Sequence, residues 1–351
     1  MDKSQLKVLI VNDKMDLRNI IRDYLKDDGY TNLSVSENGL SALRKAAAEP
    51  PDLIIADRNI PGLTGLELLK EIRRDKTLAE VPFIMISPES EQKYVAQAAE
   101  YGVNAYVVKP FSRQTLAEKV NHLLERRLNP LQGDLLYQEA NLLAQNEHLE
   151  DALEKYLQAL ETTQNSLAAI HYKIGRIHEK TEADDQAEGE YQAAVDLSRQ
   201  YVDAYDALGA LYLKKSQPER ALMYFRQSSE ISPLNAGRQL AYGETLLAAG
   251  EFQAAEKAFK LALKLDPAQM HVFNRLGISL RRQGKLKEAL QYLLQAAETV
   301  TEDENLYYNL SRVYLDRGDR ESARLYLEKS LEINPDFSEA REMIAEIEAP
   351  S

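Results

Sequence analysis

The pattern of apolar and polar residues differs between the two halves of the chain. In residues 1–130, short apolar runs alternate with stretches whose apolar residues recur at helical spacing. A short continuous apolar run is typical of a buried parallel strand. Its alternation with helices predicts an α/β fold, a doubly wound parallel sheet of five strands. We predict strands at residues 6–11, 33–35, 53–56, 83–87 and 105–108, and helices at 16–26, 38–48, 63–75, 89–101 and 112–128.

The second half has no strand pattern, and it repeats itself. Six alanines recur at intervals of 35, 34, 34, 34 and 34 residues, and each is followed four positions later by a large apolar residue. Small residues also recur in register, which lets two antiparallel helices approach closely while the large residue fills the space beside them. Such helix pairs bury their apolar faces by stacking into an all-α solenoid. The alanines are Ala152, Ala187, Ala221, Ala255, Ala289 and Ala323, and the large residues are Tyr156, Tyr191, Phe225, Phe259, Leu293 and Leu327.

The predicted strands of the first half end in residues suited to phosphoryl chemistry. Asp57 follows the third strand, and Asp13 follows the first. Ser87 ends the fourth strand, and Lys109 follows the fifth. Ligands bind beyond the carboxyl ends of parallel strands, so these side chains are expected to meet. A carboxylate can attack a phosphoryl group, a second one favours Mg²⁺, and a hydroxyl and an ammonium stabilise phosphoryl oxygens.

On these residues, 1–127 resemble the receiver domain of two-component response regulators, a flavodoxin-like fold, close to the single-domain chemotaxis type. The resemblance implies that Asp57 accepts a phosphoryl group from a histidine kinase. It also implies a Mg²⁺ cofactor bound by Asp13, Asp57 and the backbone carbonyl of Asn59. Ser87 and Tyr106 would form the switch pair, and Lys109 would sense the phosphate.

The chain departs from the receiver pattern at Asn12, where the family usually has a second acid beside Asp13. The loss of one negative charge is expected to weaken Mg²⁺ binding, although the Asn12 amide oxygen can still hold a metal-bound water. Pro88 stiffens the loop after Ser87. A degenerate receiver that keeps the fold but takes no phosphate is therefore an alternative.

The repeats resemble the tetratricopeptide repeat in period and residue types. We predict a receiver at 1–128, a linker at 129–132, six repeats at 133–337, and a capping helix and tail at 338–351. In this family the first helix of each repeat lines a groove that binds a protein or peptide. The corresponding positions here are Tyr137, Asn141, Tyr172, Arg176, Asp206, Glu244, Asn274, Arg281, Tyr308 and Arg312.

Charge and composition limit the classes of function. Residues 1–130 hold 19 basic and 19 acidic residues, so the whole net charge of −13 falls on residues 131–351. An acidic region repels phosphate backbones, which argues against nucleic-acid binding. The chain has no Cys, no apolar stretch of membrane-spanning length and no signal-peptide pattern at its start. These features predict a cytoplasmic protein without membrane insertion.

The leading hypothesis is a phosphorylation-controlled adaptor, a non-enzymatic response regulator whose repeats hold or release a partner protein. The receiver is also a candidate surface for homodimer formation. One alternative is a constitutive scaffold in which the receiver only docks. Another is a peptide-sensing protein that uses the repeat groove.

Overall fold

The computed structural model describes residues 2–163 and 166–348; the tail predicted after the last helix lies outside them. The described chain contains five strands, which form one parallel sheet in the order β2-β1-β3-β4-β5. The order reverses beside β1, which is the switch point where doubly wound sheets bind ligands. The predicted strands are confirmed, with the first starting two residues later. The bounds are β1 Val8–Val11, β2 Leu33–Ser36, β3 Leu53–Asp57, β4 Phe83–Ser87 and β5 Ala105–Val108.

Helices cover both faces of this sheet. Every residue of β1, β3 and β4 is buried, which explains their continuous apolar sequences. Two hydrophobic clusters result, one on each face, because alternate side chains of a strand point to opposite sides. The helices of this region are α1 Met15–Asp27, α2 Gly39–Ala48, α3 Gly65–Arg74, α4 Gln92–Glu100 and α5 Arg113–Leu128.

The remaining described residues are helical, as the repeats predicted. They form six antiparallel pairs followed by a single helix. The chain divides into two compact units, Met1–Ala204 and Tyr205–Ser351, and we describe each by itself. The helices are α6 Gln132–Gln145, α7 Leu149–Thr162, α8 Leu167–Lys180, α9 Asp184–Leu197, α10 Val202–Lys214, α11 Pro218–Ile231, α12 Ala236–Ala248, α13 Phe252–Leu265, α14 Met270–Arg282, α15 Leu286–Ala297, α16 Glu304–Asp316, α17 Arg320–Ile333 and α18 Ser338–Glu348.

The repeated small and large residues pack as the spacing predicts. All six alanines are fully buried, and the six large residues are at most 4% exposed. Gly243 shows why the small residue is needed. A Cβ built at this glycine would lie 2.6 Å from the ring of Phe259, inside van der Waals contact. The ring of one helix therefore occupies the space that a side chain on its pair would take.

An ion pair joins the receiver to the first repeat within the first unit. α5 ends at Leu128 and α6 begins at Gln132, so the connection is short. The Arg126 guanidinium donates to both carboxylate oxygens of Asp134, with Nε–Oδ2 at 2.8 Å. Arg127 also donates to the carbonyl of Glu80 at 3.2 Å. Bidentate contacts of this kind restrict the relative orientation of the two helices.

Glu256 is the centre of a second charged cluster, in the unit that starts at Tyr205. Its carboxylate accepts from Lys260 at 2.6 Å, from Lys285 at 2.7 Å and from Gln283 at 2.9 Å. Although burial acts in the opposite direction, these donors together lower the pKa of Glu256 from 4.5 to about 2. The cluster connects the helix pair α12–α13 to the pair α14–α15.

This cluster predicts an acid-dependent loss of stability. A depressed carboxyl pKa stabilises the fold fully above pH 4.5, and this stabilisation is lost as the pH falls through about 2. We expect Glu256→Gln to lower the free energy of unfolding at pH 7 by about 1–2 kcal/mol, since the two lysines are partly exposed. The deficit should shrink steadily between pH 4.5 and about 2, measured by urea titration. Glu298→Gln, at an exposed position, is the control; a deficit that persists at the lowest pH would contradict the assignment.

In the described part of the chain, no helix combines the length and the apolarity needed to cross a membrane.

Candidate functional site

Asp57 lies at the carboxyl end of the central strand β3, on backbone that neighbouring strands hold on both sides. Its side chain is only 4% exposed, although it carries a charge. The start of α3 approaches this strand end closely. A Cβ built on Gly65 would lie 2.3 Å from the carbonyl oxygen of Asp57, so only glycine allows this approach. The Gly65 amide donates to the carbonyl of Arg58 at 2.8 Å, which holds the turn after Asp57 in place.

Three donors hold the Asp57 carboxylate. The Lys109 ammonium contacts Oδ2, and the amide Nδ2 of Asn12 donates to the same oxygen at 2.6 Å. The backbone amide of Asn59 donates to Oδ1 at 3.0 Å. The prediction that strand ends bring Asp57 and Lys109 together is thus realised in the geometry. A nearly buried carboxylate is stabilised here by one full charge and two hydrogen bonds.

The role of Asn12 in this structure differs from the one predicted from the sequence. Its Oδ1 accepts from the backbone amide of Lys14 at 2.8 Å, and this contact leaves the NH₂ group facing Asp57. A carboxylate at this position would instead place two negative charges in contact. Asn12 therefore acts here as a donor to the candidate phosphoacceptor, and its part in a metal site stays a prediction.

The Asp13 side chain is exposed and makes no hydrogen bond or ion pair with any described residue. Its backbone is held by Arg18, whose Nη1 donates to the carbonyls of Asn12 at 2.6 Å and Asp13 at 2.9 Å. Arg18 is not among the site residues predicted from the sequence. Its position one turn into α1, five residues after Asp13, was the available signal.

The Ser87 hydroxyl is hydrogen-bonded to Glu89, which is also not among the site residues predicted from the sequence. Ser87 Oγ contacts the Glu89 carboxylate, and Glu89 receives a further bond from Asn59 Nδ2 at 3.3 Å. The Tyr106 hydroxyl donates to the backbone carbonyl of Glu89 at 3.0 Å. The bond from Ser87 lowers the pKa of Glu89 below its usual range, so Glu89 is charged at neutral pH.

Glu89 can reach Ser87 because α4 begins later than predicted. The helix expected from residue 89 begins at Gln92, with Glu91 as its N-cap. Residues 88–91 instead form a loop, in which the Glu89 backbone amide donates to the Ser87 hydroxyl at 3.2 Å, a local bond that competes with helix formation. The prediction of helix at Glu89 was wrong for this reason, and the error concealed its contact with Ser87.

Arg58, directly after Asp57, connects the acceptor loop to α4. Its guanidinium lies over the ring of Tyr94 at 4.4 Å and donates to Gln97 at 3.0 Å. Nothing in the local sequence pattern indicated this contact, because it joins residues 36 and 39 positions apart in the chain. A rearrangement of the acceptor loop would therefore act directly on α4.

The side chains fit a hard divalent cation. Asp13 offers a free carboxylate two residues after the end of β1, and Asp57 ends β3, the strand paired with β1. Mg²⁺ prefers one or two carboxylates together with waters and phosphate oxygens, which this donor set can complete. Asp13, Asp57 and the Asn59 carbonyl would hold it.

Asn12 provides a test of the metal site. We expect Asn12→Asp to bind Mg²⁺ roughly tenfold more tightly, because a second carboxylate adds negative charge beside Asp13 and Asp57. Without Mg²⁺, the same variant should be less stable than the wild type, since the new carboxylate replaces a donor 2.6 Å from Asp57. Calorimetric titration and thermal unfolding with and without Mg²⁺ measure the two effects. Asn32→Asp adds the same charge at an exposed site away from Asp57 and should change neither; equal or weaker Mg²⁺ binding by Asn12→Asp would contradict the argument.

In the first unit, three of the predicted groove residues line one cavity. This inter-repeat cavity has a volume of about 310 Å³ and lies between α6, α7 and α8. Asn141 accepts from the Tyr156 hydroxyl at 2.8 Å, and Arg176 donates to the Tyr172 hydroxyl at 3.2 Å. Tyr137 lies beside them, with its ring 5.8 Å from that of Tyr156, and burial raises its pKa.

In the second unit, the predicted groove residues bind one another or their neighbours. Asn274 accepts from Asn309 at 3.0 Å, and Arg281 donates to Asp316 at 2.7 Å. Arg312 lies over the Tyr308 ring at 5.7 Å. Contacts of the same kind involve Asp206 with Arg238 and Glu244 with Arg275. Apart from the Arg312–Tyr308 contact within α16, these contacts connect adjacent repeats.

Comparison with known proteins agrees with this division. Residues 8–121 match the model of the response regulator receiver domain. Over 121 residues the chain is 40% identical to the chemotaxis protein CheY of Pseudomonas aeruginosa, covering 34% of this chain and 98% of that protein. Chemotaxis protein CheY-3 of Vibrio cholerae is also 40% identical over 121 residues, with 34% and 93% covered. The chain is therefore a response regulator-type protein whose receiver is followed by a repeat region.

The repeat region places the chain in a family. Residues 126–351, more than half of the chain, match the model of the Cilia and flagella-associated protein 70 C-terminal domain, and the chain belongs to that family. A solved structure, YrrB, described as a TPR protein with an unusual peptide-binding site, is similar with a TM-score of 0.51 and 21% identity. The similarity covers 54% of this chain and 97% of YrrB, and it shows a shared tetratricopeptide-repeat fold.

Proposed function

We propose that the protein is a phosphorylation-dependent adaptor: Asp57 accepts a phosphoryl group from a histidine kinase, and the repeats bind a protein partner. The observation that carries this proposal is the environment of Asp57. A nearly buried carboxylate at a strand end faces an ammonium, with a free carboxylate, Asp13, and a hydroxyl, Ser87, at adjoining strand ends. This set provides a nucleophile, a metal ligand and two groups for phosphoryl oxygens.

In the proposed reaction, an Asp57 oxygen forms a bond to phosphorus while the bond from phosphorus to the donor's histidine nitrogen breaks. The bonding electron pair stays on that nitrogen, which takes a proton. Lys109 lies where it can neutralise charge on the transferred group. Bound Mg²⁺ would supply further charge neutralisation at phosphoryl oxygens.

The phosphoryl group would change the loop that contains Glu89. Because Glu89 is charged, a phosphorylated Asp57 nearby repels its carboxylate. Ser87 would then exchange Glu89 for a phosphoryl oxygen, and the loop would move. Tyr106 donates to the carbonyl of Glu89, so its hydroxyl would lose that partner and the ring would become free to turn inward.

Arg126 and Asp134 offer a route from the receiver to the repeats. Tyr106 lies on β5, which leads through Pro110 into α5, and α5 is paired with α6 by these two residues. A short, ion-paired connection transmits a rotation of α5 that a flexible linker would absorb. A coupling free energy of about 1–3 kcal/mol is enough for allosteric control.

The first test is phosphorylation by acetyl phosphate with Mg²⁺, followed by intact-mass measurement. We expect a gain of one phosphoryl group per chain. If the mass does not increase at saturating Mg²⁺, the proposal is wrong, and a constitutive scaffold with a degenerate receiver is the remaining alternative.

The second test concerns coupling and uses beryllium fluoride as a phosphoryl mimic. Hydrogen exchange should change in residues 88–100 and in α6 of the wild type. Tyr106→Phe, which removes only the hydroxyl that contacts Glu89, should reduce the change in α6; Tyr101→Phe, a nearby tyrosine without this contact, should not. If exchange beyond residue 128 responds in neither the wild type nor the variants, the repeats are not under receiver control.

A further inference from the structure

The lining of the inter-repeat cavity carries a net positive charge within an acidic region. Lys173, Arg176 and Lys180 all line it, and their spacing of three and four residues places them on one face of α8. The lining contains one acidic residue, Glu147. Residues 131–351 carry the whole net charge of −13, so this concentration of positive charge differs from its surroundings.

Lys173 is the basic residue of the cavity whose charge is least satisfied. It is half-buried, and no described residue forms a hydrogen bond or ion pair with its ammonium group. Burial, followed by the charge of Arg176, lowers the pKa of Lys173, while the charge of Asp203 opposes this with a smaller effect. A partly buried ammonium without a counterion gains free energy when an anion binds beside it.

The other two basic residues retain the capacity to bind an anion. Arg176 donates to the Tyr172 hydroxyl at 3.2 Å and lies 3.3 Å from the Glu179 carboxylate, which occupies only part of its five donors. Lys180 pairs with Glu147 at 3.0 Å, and both side chains are largely exposed. Exposed pairs of this kind contribute little free energy, so an incoming carboxylate could replace Glu147.

The rest of the lining combines apolar residues with two amides, and the cavity is small. Leu149, Tyr156, Tyr172 and Ile177 form its larger apolar walls, and Asn141 and Gln145 add polar groups. A volume of about 310 Å³ lies at the lower end of the range for small-molecule sites, about 300–1,000 Å³. The cavity therefore has room for one side chain or chain end together with an apolar neighbour.

We propose that the inter-repeat cavity binds a carboxylate of an acidic peptide segment, with Lys173 and Arg176 as the principal contacts and the tyrosines packing against an apolar neighbour. The proposal rests on the proposed function, in which the repeats bind a protein partner, and it names the chemistry of that partner. The carboxylate can belong to an aspartate or glutamate side chain or to a peptide C-terminus.

Fluorescence anisotropy with labelled synthetic peptides tests the proposal on the full chain. The first probe is a short peptide of alternating glutamate and leucine with an amidated C-terminus, the second is its glutamine counterpart, and the third is the glutamine peptide with a free C-terminus. We expect the first or the third to bind at least about tenfold more tightly than the second, since a charge-assisted contact is lost in the amide. Preference for the first identifies a side-chain carboxylate, and preference for the third identifies a C-terminus.

Charge reversal locates the site. Lys173→Glu should weaken binding of the preferred probe by about tenfold or more. Lys257→Glu, at an exposed position of α13 outside the cavity, changes the net charge equally and should leave affinity unchanged. Circular dichroism shows whether both variants are folded. If Lys173→Glu is not folded, Lys173→Gln is tested in its place.

Three results would overturn the proposal. One is equal affinity for all three probes, or an equal loss in Lys173→Glu and Lys257→Glu; the repeats would then bind peptides elsewhere, and the proposed function would stand. Another is displacement of the probe by inorganic phosphate but not by acetate, which would assign the cavity to phosphate groups. The third is no binding of any probe, which would remove an acidic peptide as the ligand while leaving binding of a protein partner and phosphorylation of Asp57 as proposed.

Discussion

Replacing Asp57 by asparagine is expected to abolish phosphorylation completely, from one phosphoryl group per chain to none. The amide lacks the negative charge that makes a carboxylate oxygen nucleophilic, and its neutral oxygen attacks phosphorus poorly. The substitution keeps the size of the side chain, so the loss should not come from unfolding. Intact-mass measurement after treatment with acetyl phosphate and saturating Mg²⁺ provides the readout. In the wild type, the added mass should disappear on treatment with hydroxylamine, as expected of an acyl phosphate.

Two control variants distinguish loss of the phosphoacceptor from loss of another carboxylate. Asp75→Asn removes a half-buried carboxylate that accepts from Thr77, and it should be phosphorylated as the wild type is. Asp13→Asn keeps the acceptor but removes the free carboxylate of the candidate metal site, so phosphorylation should require more Mg²⁺. A phosphoryl group on Asp57→Asn would assign the acceptor to another residue.

Truncation of Phe259 to alanine should destabilise the second unit by about 3–5 kcal/mol, the range for a fully buried aromatic side chain. Phe259 is 0% exposed, and its ring lies directly against Gly243. The vacated space lies between two paired helices, which cannot both move inward without disturbing the neighbouring repeats. Urea unfolding followed by circular dichroism measures the change, because the chain contains no tryptophan for fluorescence.

A second substitution tests whether the ring and the glycine form one packing unit. Gly243→Ala in the wild type should cost about 1–3 kcal/mol, because the new methyl group meets the Phe259 ring. In the Phe259→Ala background the methyl group enters the vacated space, and the cost should fall or change sign. Leu294→Ala, which truncates a side chain that is 37% exposed, is the control and should cost much less. Additive effects of the two core substitutions would show that the two positions pack independently.

The sequence by itself determined the two-part architecture. Continuous apolar runs predicted the buried strands, and the polar residues that follow them predicted which side chains meet. The alanine register predicted the helix pairs, because each repeat places the same residue types at the same buried positions. These features depend on local periodicity and on the rule that parallel strands end at a common edge.

Only the tertiary structure determined which side chains of the site contact one another. Asn12 and Asp57 are 45 residues apart, and Lys109 and Asp57 are 52 apart, so their pairing depends on crossover connections. The prediction of Asn12 as a weaker metal ligand did not anticipate its donation to Asp57, since the direction of an amide depends on its neighbours, here the Lys14 backbone.

Glu89 and the inter-repeat cavity illustrate the same limit. The start of α4 determines whether Glu89 faces solvent or Ser87, and a boundary error of three residues concealed the contact. The spacing of Lys173, Arg176 and Lys180 in the sequence indicates a basic face on α8. The cavity beside that face could not be predicted from the sequence. Its walls come from three helices of two repeats, and the space between them depends on how those helices pack.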